Sequence, residues 1–501
     1  MPDTKKAADG GSAVAEERPL LDLIIEDGKM ARHPDQKVYA QKLVGELATQ
    51  ALASEKLQVT PDATEPVDLT AAIKVRIAEL DKQISDQLNA IMHAPEFQRL
   101  EATWRGLHHL VMNSETGTQL KLRVLNATKK ELASDLEKAV EFDQSSLFKM
   151  IYEEEYGTFG GHPFGLLIGD YEFGRHPQDV AMLDRMSNVA AAAHAPFIAA
   201  ASPLLFDMES FTELGVPRDM AKIFESAELA SWRSFRASED SRYVALCLPH
   251  ILLRLPYGAK TQPVEGVGFE EDVSGRDHSK YLWGNAAWAL GVRITTAFAQ
   301  HAWCAAIRGV EGGGMVEKLP VHTFATDDGD VALKCPTEIA ITDRREKELN
   351  DLGFIALCHC KGEDYAAFFG GATTQKFKSY VDDKANANAR LSAQLPYVLA
   401  ASRFAHFLKV IMRDKVGSFQ SRSSVEQFLN KWISQYVLLN DDAPQAAKAK
   451  FPLREARVDV TEVPGKPGSY NATVFLRPHF QLEELTASIR LVAELPPPAA
   501  A

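Results

Sequence analysis

Apolar residues at Ile73, Ile77, Leu80, Ile84, Leu88 and Ile91 recur every three or four positions, with polar residues between them. That spacing predicts a long helix opening after Asp68, a residue type suited to an N-cap, with one narrow apolar stripe. So narrow a stripe calls for a second helix, either from this chain or from another subunit. Pro95 opens the next helix, PEFQRLEATWRGLHHLVMNSE, because proline is tolerated in a first turn. Upstream, Leu21, Leu23 and Ile25 alternate with Asp22, Ile24 and Glu26 before Gly28, the period of a strand whose partner is not nearby in sequence. A helix over 36–53 and a link through Pro61 and Pro66 follow it. Residues 1–18, rich in Ala, Gly and charge without periodicity, read as a mobile tail.

Through the middle of the chain the period alternates between strand and helix. TQLKLRVLNA (118–127) reads as a strand, and Thr128 with Glu131 has the spacing of a capping box for a helix reaching Phe142. GLLIGDYEF and APFIAAAS are strand candidates separated by a helix over 177–193. A mostly apolar helix is expected over 281–308, stopped by Gly312-Gly313-Gly314. TEIAITD, a charged helix over 344–351 and the strand FIALCHC complete an α/β body ending near residue 380. Beyond it a helix begins near Lys384, breaks or kinks at Pro396 and resumes toward Lys415. Another helix covers 423–438, and ARVDVTEV and SYNATVFLR flank PGKPG as a hairpin. In a last strand, 488–495, Ile489, Leu491, Ala493 and Leu495 share one face. The fold class is therefore α/β to α+β and multidomain, with an arm over 1–66, a main α/β domain over 67–380 and a C-terminal helical and hairpin domain over 381–501.

Length and composition add limits. A chain of 501 residues with 46% apolar content is too long for one ordinary core, so two or three domains are expected. A net charge of -13 repels phosphate, and nucleic acid is not an expected partner. The chain shows no apolar run of about 18 residues of the kind that spans a bilayer. MPDTKKAADGGSAVAEERP lacks the apolar centre of a signal peptide. The expectation is a cytoplasmic protein without membrane insertion. Cysteines at 247, 304, 335, 358 and 360 fit reduced thiols better than a disulfide framework.

Each candidate for chemistry meets a physical objection. Gly258-Ala259-Lys260-Thr261 has the ending of a phosphate loop, but Arg254 and Ala259 stand where that motif needs glycine. Gly312-Gly313-Gly314 follows a helix instead of opening one, so it reads as a turn. Alternation along a strand sends Cys358 and Cys360 to one face and His359 to the other, and no second cluster completes four metal ligands. His108 and His109 diverge on a helix. The runs Glu153 to Glu155 and Glu270 to Asp272 read as solvated faces. No catalytic, cofactor-binding or metal-binding residue is expected.

Several segments together carry a family resemblance: FQRLEATWRGLHHLV (97–111), FGLLIGDYEF (164–173), LPYG (255–258), WGNAAWAL (283–290), the triple glycine with LPVHTF, PTEIAITDRREKEL (336–349), SRFAHFLKV and RPHFQLEEL. In their order and spacing the chain, from about residue 67 to 496, resembles the large subunit of the type VI secretion contractile sheath. This is the TssC or VipB family, a relative of phage tail sheath proteins. The resemblance implies a tail-sheath-like fold with mixed sheets, long helices and terminal strands for intersubunit sheet augmentation. It implies a structural subunit that pairs with the small sheath subunit, TssB or VipA, and with neighbouring copies of itself in a helical polymer. That polymer would surround an inner tube of Hcp, stand on a baseplate and be disassembled by the AAA+ ATPase ClpV. The two unpaired terminal strands suit strand addition to a neighbour through Leu21, Leu23, Ile25, Ile489, Leu491 and Ala493. The helix bearing Ile73, Ile77, Leu80, Ile84 and Ile91 is similar to the region that packs on the small subunit. Two alternatives stay open, a phage-like homopolymeric tail sheath and a nucleotide-dependent or hydrolytic enzyme built on the α/β region.

Overall fold

The computed structural model describes residues 25, 31, 33–53, 69–326, 328–363, 365–418, 421–466, 468–479 and 481. The expected terminal strand with Ile489, Leu491 and Ala493 lies outside the described residues, as do Leu21 and Leu23. The chain divides into two compact units, 1–92 with 256–272, and 93–255 with 273–501.

The first unit contains helices α1 (Pro34–Ala53) and α2 (Leu69–Met92). The distant loop 256–272 is tied to α2 by Asn89, whose Nδ2 donates to the Glu270 carbonyl at 3.4 Å and whose Oδ1 accepts from the Asp272 amide at 2.9 Å. Ile25 is in helical backbone and 2% exposed. This corrects the strand reading for that residue in the isolated chain. Helical hydrogen bonds are local, whereas a strand without a neighbour leaves its backbone groups unpaired.

The second unit is built on a mixed sheet. Along the chain run helices α3 (Pro95–Met112), α4 (Lys129–Lys138), α5 (Pro177–Ala193), α6 (Ala287–His301), α7 (Asp343–Asp351), α8 (Asp383–Ser392), α9 (Leu395–Lys415) and α10 (Arg422–Ile433). The strands are β1 (Leu167–Phe173), β2 (Phe197–Ala201), β3 (Val244–Leu248), β4 (Ile251–Leu252), β5 (Trp283–Gly284), β6 (Met315–Val316), β7 (His322–Ala325), β8 (Val331–Lys334), β9 (Phe354–His359), β10 (Ala366–Phe368), β11 (Leu453–Glu462) and β12 (Tyr470–Pro478). Six of them form one sheet in the order β1-β2-β3-β9-β10-β6, parallel from β1 to β9 and antiparallel beyond.

Strand alternation sorts the side chains of this sheet into two cores. Phe197, Ala199, Val244, Leu246, Phe354 and Ala356 point into a core with α5, while Ile198, Ala245, Cys247, Ile355 and Leu357 join the opposite one with α6. Covered on both faces, β2 and β3 are continuous apolar runs, as parallel strands are. A third core gathers Phe404, Val425, Leu429, Ile433, Val458 and Val460 from α9, α10 and β11 around Trp303.

Four expectations change. Residues 118–127 form no ladder among the described residues: Leu122 packs beside Leu110, Trp288 and Val292, and the Tyr171 hydroxyl donates to the Ala127 carbonyl at 2.6 Å. Side chains anchor the segment where alternation alone implied a strand. The capping box at Thr128 and Glu131 forms, but its helix stops at Lys138. The expected 281–308 helix shrinks to Ala287–His301, closed by Ala302 at φ 63°. TEIAITD makes one bridge, Thr337 to Ile251. By length and composition α9 could also cross a bilayer, but 56% of that stretch is buried inside the protein, as in a core helix.

Candidate assembly surfaces and the buried polar groups

On α2 the residues expected to meet a partner helix separate by exposure. Ile77, Ile84 and Ile91 are 49%, 43% and 50% exposed, and Leu80 and Leu88 are half-buried. The three isoleucines stand seven residues apart, the spacing of a coiled-coil seam, and the described residues leave them exposed. Ile73 lies in α2, and its side chain is not among those described. Helix α3 presents Phe97, Trp104 and Val111 at the same spacing, with Leu100 between the first two and Trp104 at 65% exposure.

At the other end, β11 and β12 pair as a two-stranded hairpin, Val458 opposite Val474, and no third strand joins them among the described residues. Helix α10 covers β11 and closes its outer edge: the Asn430 amide spans both the carbonyl and the amide of Val458, at 2.7 and 3.0 Å, and Glu426 accepts from the Val460 amide at 3.2 Å. That leaves the β12 edge of the ribbon as the template for a further strand.

The loop with a phosphate-binding look is closed by this chain's own carboxylates. Glu270 accepts from the Ala259 amide at 3.0 Å and Glu271 from the Tyr257 amide at 2.9 Å. A side chain at Gly258 would run into the Glu270 carboxylate. An anion would meet negative charge there. Glu270 and Asp272 are exposed as expected of a solvated run, while Glu271 is buried and clamps the loop. Glu153 and Glu154 are exposed, whereas Glu155 pairs with Arg123 and accepts from the His162 amide at 2.7 Å. Burial pushes the Cys358 thiol well above its usual range, which fits a small hydrophobe on β9.

One buried network has the residue types of an acyl-transfer triad without its geometry. Glu338, only 4% exposed at its side chain, accepts from Ser210 Oγ at 2.7 Å, from His250 Nδ1 at 2.5 Å and from His278 Nε2 at 3.2 Å. The other ring nitrogen of His250 faces Glu172 Oε1 at 3.0 Å. Burial alone would lower the His250 pKa, but the hydrogen bonds and charges of Glu172 and Glu338 outweigh it and raise it to about 10. Burial likewise opposes the charge on Glu338, and the two histidines with Ser210 hold its carboxyl well below the usual range. Two carboxylates therefore hold an imidazolium, and the serine donates to a carboxylate instead of to an imidazole. Both ring nitrogens of His250 face carboxylates, so that imidazole is not placed to act as base for Ser210.

These surfaces and this staple occur in a chain whose residues 74–375 match the model described as EvpB/VC_A0108, tail sheath N-terminal domain (VipB), and whose residues 384–495 match the EvpB/VC_A0108, tail sheath gpW/gp25-like domain (VipB_2). It is 52% identical over 457 residues to the type VI secretion system sheath protein TssC1 of Pseudomonas aeruginosa, covering 90% of this chain and 91% of that one. The chain belongs to the VipB family of type VI secretion sheath proteins. Solved structures similar to this sheath chain include a chain of the anti-feeding prophage baseplate, at 10% identity, TM-score 0.36, over 64% of this chain and 66% of that one. Another is the contracted sheath complex of the extracellular contractile injection system PVC, at 9% identity, TM-score 0.32, over 62% and 68%.

The sheath chain's polar staple was not legible in sequence. Glu172, Ser210, His250, His278 and Glu338 come from five separated segments, and no local spacing announces them. The hairpin was legible, because PGKPG is turn chemistry. Which of its edges stays open is decided only by the packing of α10.

Proposed function

We propose that this sheath chain pairs with the smaller sheath subunit and that the pair repeats as a helical tube around an inner tube, contracting to propel it. Ile73, Ile77, Leu80, Ile84 and Ile91 of α2 form the small-subunit seam. The observation that carries this reading is the run of isoleucines at heptad spacing left exposed by a chain with three well-filled cores. Neighbouring pairs are linked by strand addition, with Leu21, Leu23 and Ile25 from one end and Ile489, Leu491 and Ala493 from the other. The β11–β12 ribbon is the acceptor. Ile25, helical in the isolated chain, leaves that conformation when its strand is added.

The arm (1–66), the main domain (67–380) and the C-terminal domain (381–501) then divide the work into linking, body and ribbon. The assembly stands on a baseplate in the cytoplasm, encloses a tube of Hcp and is taken apart by the ATPase ClpV. The chain itself is structural and hydrolyses nothing. Energy for contraction comes from a metastable lattice whose contracted contacts are better in total. Negative-stain microscopy of the chain expressed with and without the small subunit tests the reading. Tubes should form only with both, and tubes from this chain alone would favour the homopolymeric, phage-like alternative.

A further inference from the structure

The SRFAHFLKVIMRDK stretch of α9 forms a compact contact between the two regions matched by the family models. His406, 2% exposed, donates from Nε2 to the Ala193 carbonyl at the end of α5, at 2.9 Å. A carbonyl only accepts, so Nε2 carries the proton and Nδ1 is the bare nitrogen of the neutral ring. That Nδ1 has no hydrogen-bond partner. His194, in left-handed backbone at φ 51° just beyond α5, lies beside it with ring centroids 6.2 Å apart, and its Nδ1 is 3.2 Å from the Tyr243 hydroxyl. One turn on, the Lys409 ammonium sits 3.4 Å from the centroid of the Tyr156 ring. Arg413 donates to the carbonyls of Tyr156, Gly157 and Thr158 at 2.8, 3.3 and 2.8 Å. Those carbonyls end the wide helical turn Lys149–Tyr156.

The charges facing this contact share one sign. Arg403, His194 and Lys409 bear on His406, Lys409 bears on His194, and Arg413 bears on Lys409 and Tyr156. Asp240 and Arg242 face the site only through Tyr243. A proton added to either imidazole therefore enters a buried cationic cluster, and on His406 the new N–H would have no acceptor among the described residues.

We propose that residues 402–413 of α9 are an acid-releasable joint, holding the C-terminal region on the α/β body while His194 and His406 are neutral and letting go when they are protonated. Release starts at Ser402, because Leu395 and Leu399 at the start of α9 belong to the second core and stay there. Within the third core Phe404 stacks on Trp303 of the α/β region, so opening parts that pair while α10 and β11 stay packed on each other. The linkage has a definite sign. Burial, with the cations adding to it against the Ala193 bond, holds His406 down to about 4. Its contribution is complete above the ordinary histidine value of about 6.5 and is lost as pH falls from there toward 4.

Hydrogen exchange on the full-length chain, copurified with the small subunit, tests this between about pH 7.5 and 4.5. Peptides covering 149–158, 190–195 and 402–413 should lose protection by about tenfold or more while 244–248 in β3 keeps its own. The double variant His194→Asn with His406→Gln should keep protection across the range, since asparagine tolerates left-handed backbone and glutamine retains a donor for Ala193. Lys409→Met should move the opening to lower pH by taking one cation away. Equal loss in β3 and in 402–413, full protection of the wild type down to about pH 4.5, or an unchanged profile in the double variant would each overturn the proposal. If the double variant does not fold, the wild-type comparison and Lys409→Met decide alone.

Discussion

His250 and Glu338 show how a few polar side chains tie together segments that are far apart in sequence. Breaking a buried ion pair by removing one partner typically costs about 3–5 kcal/mol, because the remaining charge is left uncompensated. His250→Phe should lower the denaturant midpoint accordingly, with Ser210 and His278 only partly compensating Glu338. The pH dependence follows from the raised value of His250, about 10. Its stabilisation is complete below the ordinary histidine pKa of about 6.5 and fades as pH rises through about 10. Glu338 behaves oppositely: its lowered pKa gives a contribution present above the ordinary carboxylate value and lost as pH falls. The difference in stability between wild type and His250→Phe, followed by denaturant unfolding, should therefore be largest between about pH 5 and 6.5 and shrink as pH rises toward 10. A difference that stays constant to about pH 10 would show that the imidazolium is not the stabilising species.

For the elements, exposure decides whether a substitution perturbs folding or assembly. Ile77→Asp with Ile84→Asp changes two side chains that are 49% and 43% exposed, so the fold should change by no more than about 0.5 kcal/mol per site. Binding to the small subunit should be lost, because the same carboxylates would be buried without partners in a helix seam. Pull-down with circular dichroism as control separates the two effects, and retained binding would remove α2 from the interface. The terminal strand gives a matching case. Ile489→Asp with Leu491→Asp places two carboxylates on its apolar face and should leave the heterodimer folded while preventing long tubes. Normal tubes by electron microscopy would exclude that strand as a link, and global unfolding would assign it to the chain's own core.

For the whole molecule, the sheath assignment predicts work without turnover. Purified assemblies should show no ATP or GTP hydrolysis above a no-protein control, since Glu270 and Glu271 already occupy the amides of the one loop with a phosphate-binding look. Turnover that survives repurification and disappears with Lys260→Ala would contradict the structural role. The sequence by itself determined the helices α1, α2, α3, α5, α7 and α10, the strands β1, β2 and β9, and the C-terminal hairpin. Each of these carries its own period, cap or turn, and such signals are local. It also carried the family, through motifs spread along nearly the whole chain. Only the tertiary structure decided the rest. Strand β3 is a short apolar run whose identity comes from lying between β2 and β9. Residues 118–127 have the period of a strand but no ladder partner. The five residues of the Glu338 staple and the cationic contact at His406 meet only when segments far apart in sequence are packed together. Burial, which sets their charge states, exists only once the chain has folded.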